Sequence, residues 1–203
     1  MFAESAVKLI PTLDTERLIL RPFGLADAAD VQRLAGDRSI ADTTLNIPHP
    51  YKDGMAQEWI SKHQSDFDQG KGVTFAITRR TDALLTGAMS LMSMATGHQA
   101  ELGYWIGRPY WNQGFCTEAG KTILGYAFSE LRLVRVHSNH FTRNPASGRV
   151  MLKLGMHHEG SRRQHVKKWD AFEDLELYGI LKGEWLEAAN KSVQGTRARR
   201  PRA

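Results

Sequence analysis

The stretch "QGFCTEAGKT", Gln113 to Thr122, admits two phosphate-binding readings, and the choice between them decides the fold. Its tail, Gly120-Lys121-Thr122, matches the end of a nucleotide-binding P-loop. That motif needs four residues between its two glycines before Lys and Ser or Thr. Counting back from Gly120 puts the first glycine at 115, which is Phe; the nearest glycine, Gly114, comes one residue too early. The loop must wrap its N–H groups around a phosphate chain, so its length matters. Glu118 would also stand inside that cradle and repel the ligand. The other reading is a loop that ends at Gly114 and runs into a helix.

The helix reading accounts for the residues beyond Gly114. From Phe115 to Leu131, Ala119, Ile123, Ala127 and Leu131 recur every four positions, with Leu124 and Phe128 beside them, which makes one buried stripe. Gly120 and Gly125 each cost such a helix about 1 kcal/mol relative to Ala, and a small residue there lets the helix lie close to a sheet. Upstream, Pro109 and Gly114 interrupt regular structure. The first turn of a helix carries about four unpaired N–H donors at the positive end of its dipole. Gly114 lets a ligand approach that backbone with no Cβ in the way, and Thr117 adds a hydroxyl. The segment is therefore a candidate pyrophosphate seat.

The chain has 203 residues, 41% apolar and 24% charged, enough for one globular domain with its own core. A single cysteine, Cys116, excludes an internal disulfide framework and Cys-based metal sites, and fits a reducing cytoplasm. No stretch approaches the ~18 apolar residues of a membrane-spanning helix. The net charge of +5 resides in the last residues: Lys191, Arg197, Arg199, Arg200 and Arg202 follow Ala189 with no acid among them. Residues 188–203 read as a loose basic tail, open to ribosome or nucleic-acid contact. Residues 1–12 read as an extension and 13–187 as the domain.

Strands are expected at Arg17–Phe23, 72–80, 84–94, 98–107, Leu133–Phe141, about 156–166 and 174–182. Helices are expected at Leu25–Asp37, Asp53–Gly70, Phe115–Leu131 and after Asn144, where Asn144 caps, Pro145 opens and Gly155 closes. This order predicts a mixed α/β single domain.

Four segments together are similar to one family. "AELGYWIGRPYWNQGFCTEA" (100–119) resembles the strand, loop and helix of the GNAT acyltransferases, in the branch of the Rim-type ribosomal-protein N-terminal acetyltransferases. "TERLILRPF" resembles the branch's first strand, "NPASGRVMLKLGM" its second cofactor-side helix and "HHEG" the strand after it. The resemblance runs from Leu13 to Trp185. It implies a mixed, mostly antiparallel sheet flanked by helices, with acetyl-coenzyme A as acyl donor and no metal. The family's loop pattern, Arg/Gln-x-x-Gly-x-Gly/Ala, falls on Trp111, Gly114 and Cys116. By the same resemblance Ile106, Asn112, Gln113, Gly114, Phe115, Cys116 and Thr117 bind the cofactor, and Asn144 meets the pantetheine arm.

Acetyl transfer needs a neutral amine, a polarised thioester and a proton for the leaving thiolate. In "HQAELGYWIG", Ala100, Leu102, Tyr104 and Ile106 alternate with Glu101, Gly103 and Trp105. Glu101 is a carboxylate inside an apolar strand next to the loop; a solvent-facing or salt-bridged Glu is the plain alternative, and the resemblance implies a base. Many relatives place a tyrosine four residues before the position of Gly155; here that residue is Met151. The branch's serine, three residues after the Asn, is Ser147, a candidate proton donor or an ordinary first-turn serine. A positive helix end favours a thiolate at Cys116, but the resemblance gives this position only a need to be small. His137 and His140 should face opposite ways, so neither they nor the adjacent His157 and His158 form a chelating pair.

The expected activity is N-acetylation of a protein N-terminus or a small-molecule amine by a monomer or homodimer away from any membrane. A non-catalytic acyl-CoA-binding module is the alternative. The segment from Gly24 to Gly70 holds four more acids than bases, enough to attract an amine cation if those acids face the acceptor.

Overall fold

The computed structural model describes residues 9–94 and 97–198. Eight strands form one sheet in the order β1-β2-β3-β4-β5-β6-β8-β7. They are β1 (Leu13–Asp14), β2 (Leu18–Arg21), β3 (Val73–Arg79), β4 (Leu85–Met92), β5 (Gln99–Ile106), β6 (Arg135–Phe141), β7 (His157–Lys168) and β8 (Ala171–Leu181). Every neighbouring pair is antiparallel except β5 and β6. Parallel strands need a crossover, and the helix α5 (Phe115–Ser129) supplies it. The mixed, mostly antiparallel sheet flanked by helices is the fold expected.

The β5–β6 pair is short. Its register holds for Gln99–Arg135, Ala100–Val136 and Glu101–His137, and then the strands part. Beyond that point the Ser138 hydroxyl still reaches the Leu102 carbonyl at 2.7 Å, closing the apex of the gap.

Apolar cores lie on both faces. On one, Phe75, Met89, Leu102 and Val136 of the sheet meet Ile123 and Phe128 of α5 and Met151 of α6 (Pro145–Lys153). Full burial of such a side chain contributes about 1.5–3 kcal/mol. On the other, Ala76, Ala88 and Trp105 pack under Val31 and Leu34 of α1 (Ala28–Ala35) and Ile60 of α3 (Met55–Ser61). Strand β4 is covered on both sides, so it reads as an apolar run without alternation.

Several elements differ from expectation. The first helix is preceded by a 3₁₀ turn at Leu25–Asp27, and a further short helix, α2 (Arg38–Ala41), follows it. Asp37 starts α2 by accepting the Ser39 amide at 2.8 Å. The expected helix at Asp53–Gly70 is two, α3 and α4 (His63–Asp68), because the Lys62 amide turns back onto Trp59 and Ile60. The last two strands are longer than expected and meet in a tight turn at Trp169–Asp170. Gly120 serves the close approach of α5 to Leu154, since a Cβ there would meet the Leu154 Cδ atoms at 2.8 Å.

The segment expected as a loose tail from residue 188 is instead helical to Ala198, in α7 (Lys182–Ala198). Glu184 starts this helix by accepting the Leu181 amide at 2.8 Å, and Trp185 anchors it on Phe128 at 5.5 Å between rings. No proline interrupts it before Pro201. Residues 199–203 and 1–8 lie outside the described residues.

The break between α3 and α4 turns His63 onto Trp59 at 4.4 Å between rings and onto Phe23 at 5.4 Å. Neither ring nitrogen has a hydrogen-bond partner. Burial pushes the His63 imidazole down to about 4 despite the nearby Asp66. The unfolded chain therefore binds this proton first as pH falls, so stability is full above pH ~6.5 and declines toward pH ~4. The full difference is about 3 kcal/mol. Urea unfolding at pH 7 and pH 4.5 should show His63→Phe losing less stability on acidification than the wild type. An identical pH dependence in both proteins would exclude this role.

Candidate active site

The loop after β5 turns twice through left-handed backbone, at Asn112 (φ 59°) and Gly114 (φ 80°). Asn tolerates that conformation and Gly accepts it without strain. The first amide of α5 to find a helical carbonyl is Glu118, which donates to Gly114 at 3.0 Å. The amides of Phe115, Cys116 and Thr117 come before it and point out of the helix end, as an anion seat requires.

The loop is held from outside. The Trp111 indole donates to the Ile106 carbonyl at 2.5 Å. Arg17 of the β1–β2 turn donates to the Gln113 carbonyl at 3.0 Å and to Glu118 at 2.6 Å, with its guanidinium 5.0 Å from the Phe115 ring. Thr15 donates to the same carboxylate at 2.5 Å, and these partners hold Glu118 below the usual carboxylate range against the opposing effect of burial. Glu118 is thus a buttress turned away from the seat. The P-loop reading fails here: Gly114, not residue 115, makes the turn, and Lys121 and Thr122 lie within α5.

One cleft of about 1320 Å³ runs from this seat through the gap between β5 and β6 to the opposite face of the sheet. Glu101, Ile106, Asn112, Gly114, Phe115, Cys116, Thr117, Asn144 and Ser147 all line it; Gln113 does not, its side chain being turned back to the Pro109 carbonyl at 3.1 Å. Phe115 is a core residue, and only its backbone can serve a ligand. Asn144 is the N-cap of α6, yet its side chain makes no capping bond. Arg149 and Lys153 of α6 add positive charge to the same rim.

Glu101 opens on the far face, at the last paired residue before the strands part. The Asn139 amide donates to its Oε1 at 2.9 Å. His137 lies beside it in register, its Nδ1 unpartnered, and burial pushes its imidazole down while Glu101 opposes that shift. His140 turns to the other face, stacked on Tyr178. Among the described residues no group of three or more His, Cys, Asp or Glu side chains is placed to hold a metal. Nor is any helix there long and apolar enough to cross a membrane.

Ser147 does not spend its hydroxyl on the backbone of its own helix. Its Oγ is 2.7 Å from the Tyr104 hydroxyl, across the gap. Sequence reasoning passes over Tyr104, Asn139, Arg17 and Thr15. Tyr104 is visible there only as one more apolar-facing strand residue, and the others act through contacts between distant segments.

The far wall of the cleft is the 42–50 loop. The buried Lys168 ammonium fastens it to the β7–β8 hairpin, donating to the Leu45 and Ile47 carbonyls at 3.0 and 2.8 Å. Arg143 links Asp42 and Glu173. The surplus of acids in this part of the chain does not face the cleft. Asp27 pairs with Arg21, Asp30 with Arg33, Asp42 with Arg143, and Asp37 caps α2. Of the eight acids between Gly24 and Gly70 only Glu58 lines the cleft, and it is paired with Lys62. The acidic attraction expected for an amine cation has no support in this arrangement.

Comparison with known proteins fits this geometry. The acetyltransferase (GNAT) domain family matches residues 17–157. The uncharacterized N-acetyltransferase YoaA of Bacillus subtilis is 30% identical over 86% of this chain and 98% of its own length. The [ribosomal protein uS5]-alanine N-acetyltransferase of Escherichia coli is 23% identical over 85% of this chain and 92% of its own. The crystal structure of a GNAT-family acetyltransferase from Bacillus anthracis has the same fold, with a TM-score of 0.76 at 24% identity, covering 85% of this chain and 99% of the other. The chain belongs to the GNAT acetyltransferase family, and it is an N-acetyltransferase.

Cys116 sits beside Tyr104 in this cleft, and burial pushes its thiol up to about 12. The helix end does not produce the thiolate that its position suggested. At pH 8 alkylation by iodoacetamide should run on the order of 10³-fold slower than that of a free thiol of pKa ~8.5, and Cys116→Ala should keep most activity. Fast labelling at pH 8, or loss of acetyl transfer in the Ala variant, would contradict this.

Proposed function

We propose that the protein transfers an acetyl group from acetyl-coenzyme A to the α-amine of a protein N-terminus by direct attack of the amine on the thioester. The observation that carries the reading is the single cleft that joins the amide-lined turn at Gly114 to the Glu101 carboxylate through the parted strands. Similarity to an enzyme acting on a ribosomal-protein alanine supports the choice of acceptor.

In this reading the amides of residues 115–117 and the positive end of α5 receive the pyrophosphate. Arg149 and Lys153 offset further phosphate charge, and the Asn144 side chain meets the pantetheine arm. The thioester lies in the gap between β5 and β6, within reach of both faces. Glu101, held by Asn139, takes a proton from the amine directly or through water. Its task is modest: an α-amine has a pKa near ~8, so a fair share is neutral at pH 7.5, whereas a lysine amine near ~10.4 is neutral in about one part in a thousand. Ser147 donates a hydrogen bond to the leaving sulfur. A non-catalytic acyl-CoA module would have no need of a supported carboxylate and a supported hydroxyl at opposite sides of one gap.

Mass spectrometry of an acceptor panel with acetyl-CoA tests the reading: peptides with free N-termini, polyamines and aminoglycosides. A gain of one acetyl group on the peptides is expected, and a gain confined to a small-molecule class would replace the acceptor. Glu101→Gln should lower kcat by on the order of 10²–10⁴-fold while leaving the coenzyme A Kd unchanged. An unaltered pH–rate profile in that variant would remove Glu101 from the reaction. Gly114→Val strains a left-handed turn by about 1–2 kcal/mol. If the turn relaxes to relieve that strain, calorimetry should find coenzyme A binding about five- to thirtyfold weaker, and unchanged affinity would locate the phosphate seat elsewhere.

A further inference from the structure

We infer that Tyr104 is a positioning residue for acetyl transfer, holding the Ser147 hydroxyl where it can donate to the departing sulfur. The inference rests on the proposed role of Ser147 and adds the group that enforces it.

Tyr104 lies on β5 three residues beyond Glu101, the last residue paired with β6, and on the opposite face of the strand. Its side chain therefore approaches the gap from the helix side, while Glu101 approaches from the acceptor side. Helix α6 offers no phenol of its own there, since Met151 is fully buried in the core. Both Tyr104 and Ser147 line the cleft. The Tyr104 oxygen is 2.7 Å from Ser147 Oγ and 3.1 Å from the Ser147 carbonyl oxygen.

Three oxygens and two hydroxyl hydrogens allow two arrangements. The carbonyl only accepts. In the first arrangement the phenol donates to that carbonyl and Ser147 donates to the phenol oxygen, so the serine hydrogen is spent inside the pair. In the second the phenol donates to Ser147 Oγ, and the serine hydrogen is free for a third atom. A sulfur gaining negative charge in the gap is such an acceptor. The phenol then fixes Oγ from behind and strengthens its O–H as a donor, because linked hydrogen bonds polarise one another.

The phenol itself gives up no proton. Burial, with Cys116 close by, pushes its ionisation above the ordinary range, so it stays a neutral donor throughout. The amine lone pair forms the C–N bond, and the C–S pair leaves with sulfur. The proton that completes the thiol comes from the amine, by way of Glu101 or solvent. Ser147 and Tyr104 lower the charge on sulfur by hydrogen bonding and end the reaction as they began it.

A purely structural bond, pinning α6 to β5, is the competing explanation, and a double-mutant cycle separates the two. Tyr104→Phe, Ser147→Ala and the double variant are compared for kcat, acetyl-CoA Kd and Tm. Tyr104→Phe should lower kcat about tenfold, as loss of one supporting hydrogen bond in the transition state implies, with Kd within about twofold of wild type. The double variant should be no slower than Ser147→Ala alone. A lower Tm with kcat intact, or strictly additive losses in kcat, would overturn the inference. If Ser147→Ala leaves kcat unchanged, the role of Ser147 itself fails; if Ser147→Ala is slow and Tyr104→Phe is not, only the inference about Tyr104 fails. Should Tyr104→Phe not fold, 3-fluorotyrosine placed at position 104 fills nearly the same space with a stronger donor and should raise kcat. An unchanged kcat there would also overturn the proposal.

Discussion

Two parallel strands that stay paired for three residues and then separate are the constraint on which the rest of this molecule depends. Past Glu101 and His137 the facing edges of β5 and β6 no longer satisfy each other. A buried edge of that kind is costly unless something fills it. Side chains occupy it: Ser138 satisfies the Leu102 carbonyl, Asn139 reaches the Glu101 side chain, and Tyr104 reaches Ser147 of α6. These three contacts put polar groups into the opening. The crossover that parallel pairing demands is α5, so the same constraint also brings a helix N-terminus to the mouth of the opening.

The two halves of the sheet share only a short backbone ladder, and side chains join them beyond it. Strands β1–β5 and β6–β8 are each antiparallel assemblies, with register shifts at Ile77/Thr78 in β3 and twice along β7. Between them stand the short parallel pair, the three side-chain contacts, and those of Lys168 and Arg143 with the 42–50 loop. A seam of this type holds its shape through specific hydrogen bonds while leaving the cleft open between the two halves.

The sequence carries the local parts of this design clearly. Asn144-Pro145 and Gly155 bound α6, the stripe from Ala119 to Ala127 marks α5, and Gly114 marks its entry because only local backbone rules are involved. Resemblance then supplies the cleft residues as a set. The hidden part is non-local. Nothing in the spacing of Arg17 and Glu118 says that they pair across 101 residues. The acids between Gly24 and Gly70 look like an electrostatic lure because their partners, Arg21 and Arg143 among them, lie outside the segment or are hidden within its turns. The place of Cys116 at a helix end suggests a thiolate, whereas desolvation against the finished core governs its ionisation. The helix after β8 is masked by a basic composition that outweighs two anchors, Glu184 and Trp185, which act only once the sheet and α5 exist.

The Lys168 clasp has a consequence for the order in which the protein is assembled. The carbonyls it holds belong to Leu45 and Ile47, 123 and 121 residues earlier in the chain. As a chain grows from its N-terminus, the turn at Gly114 and the strands before it emerge well ahead of this lysine. The loop that walls the cleft gains this clasp only once the β7–β8 hairpin has closed, and contacts this distant in sequence are slow to form. The turn at Gly114 and the wall that faces it across the cleft are thus separated in time as well as in space.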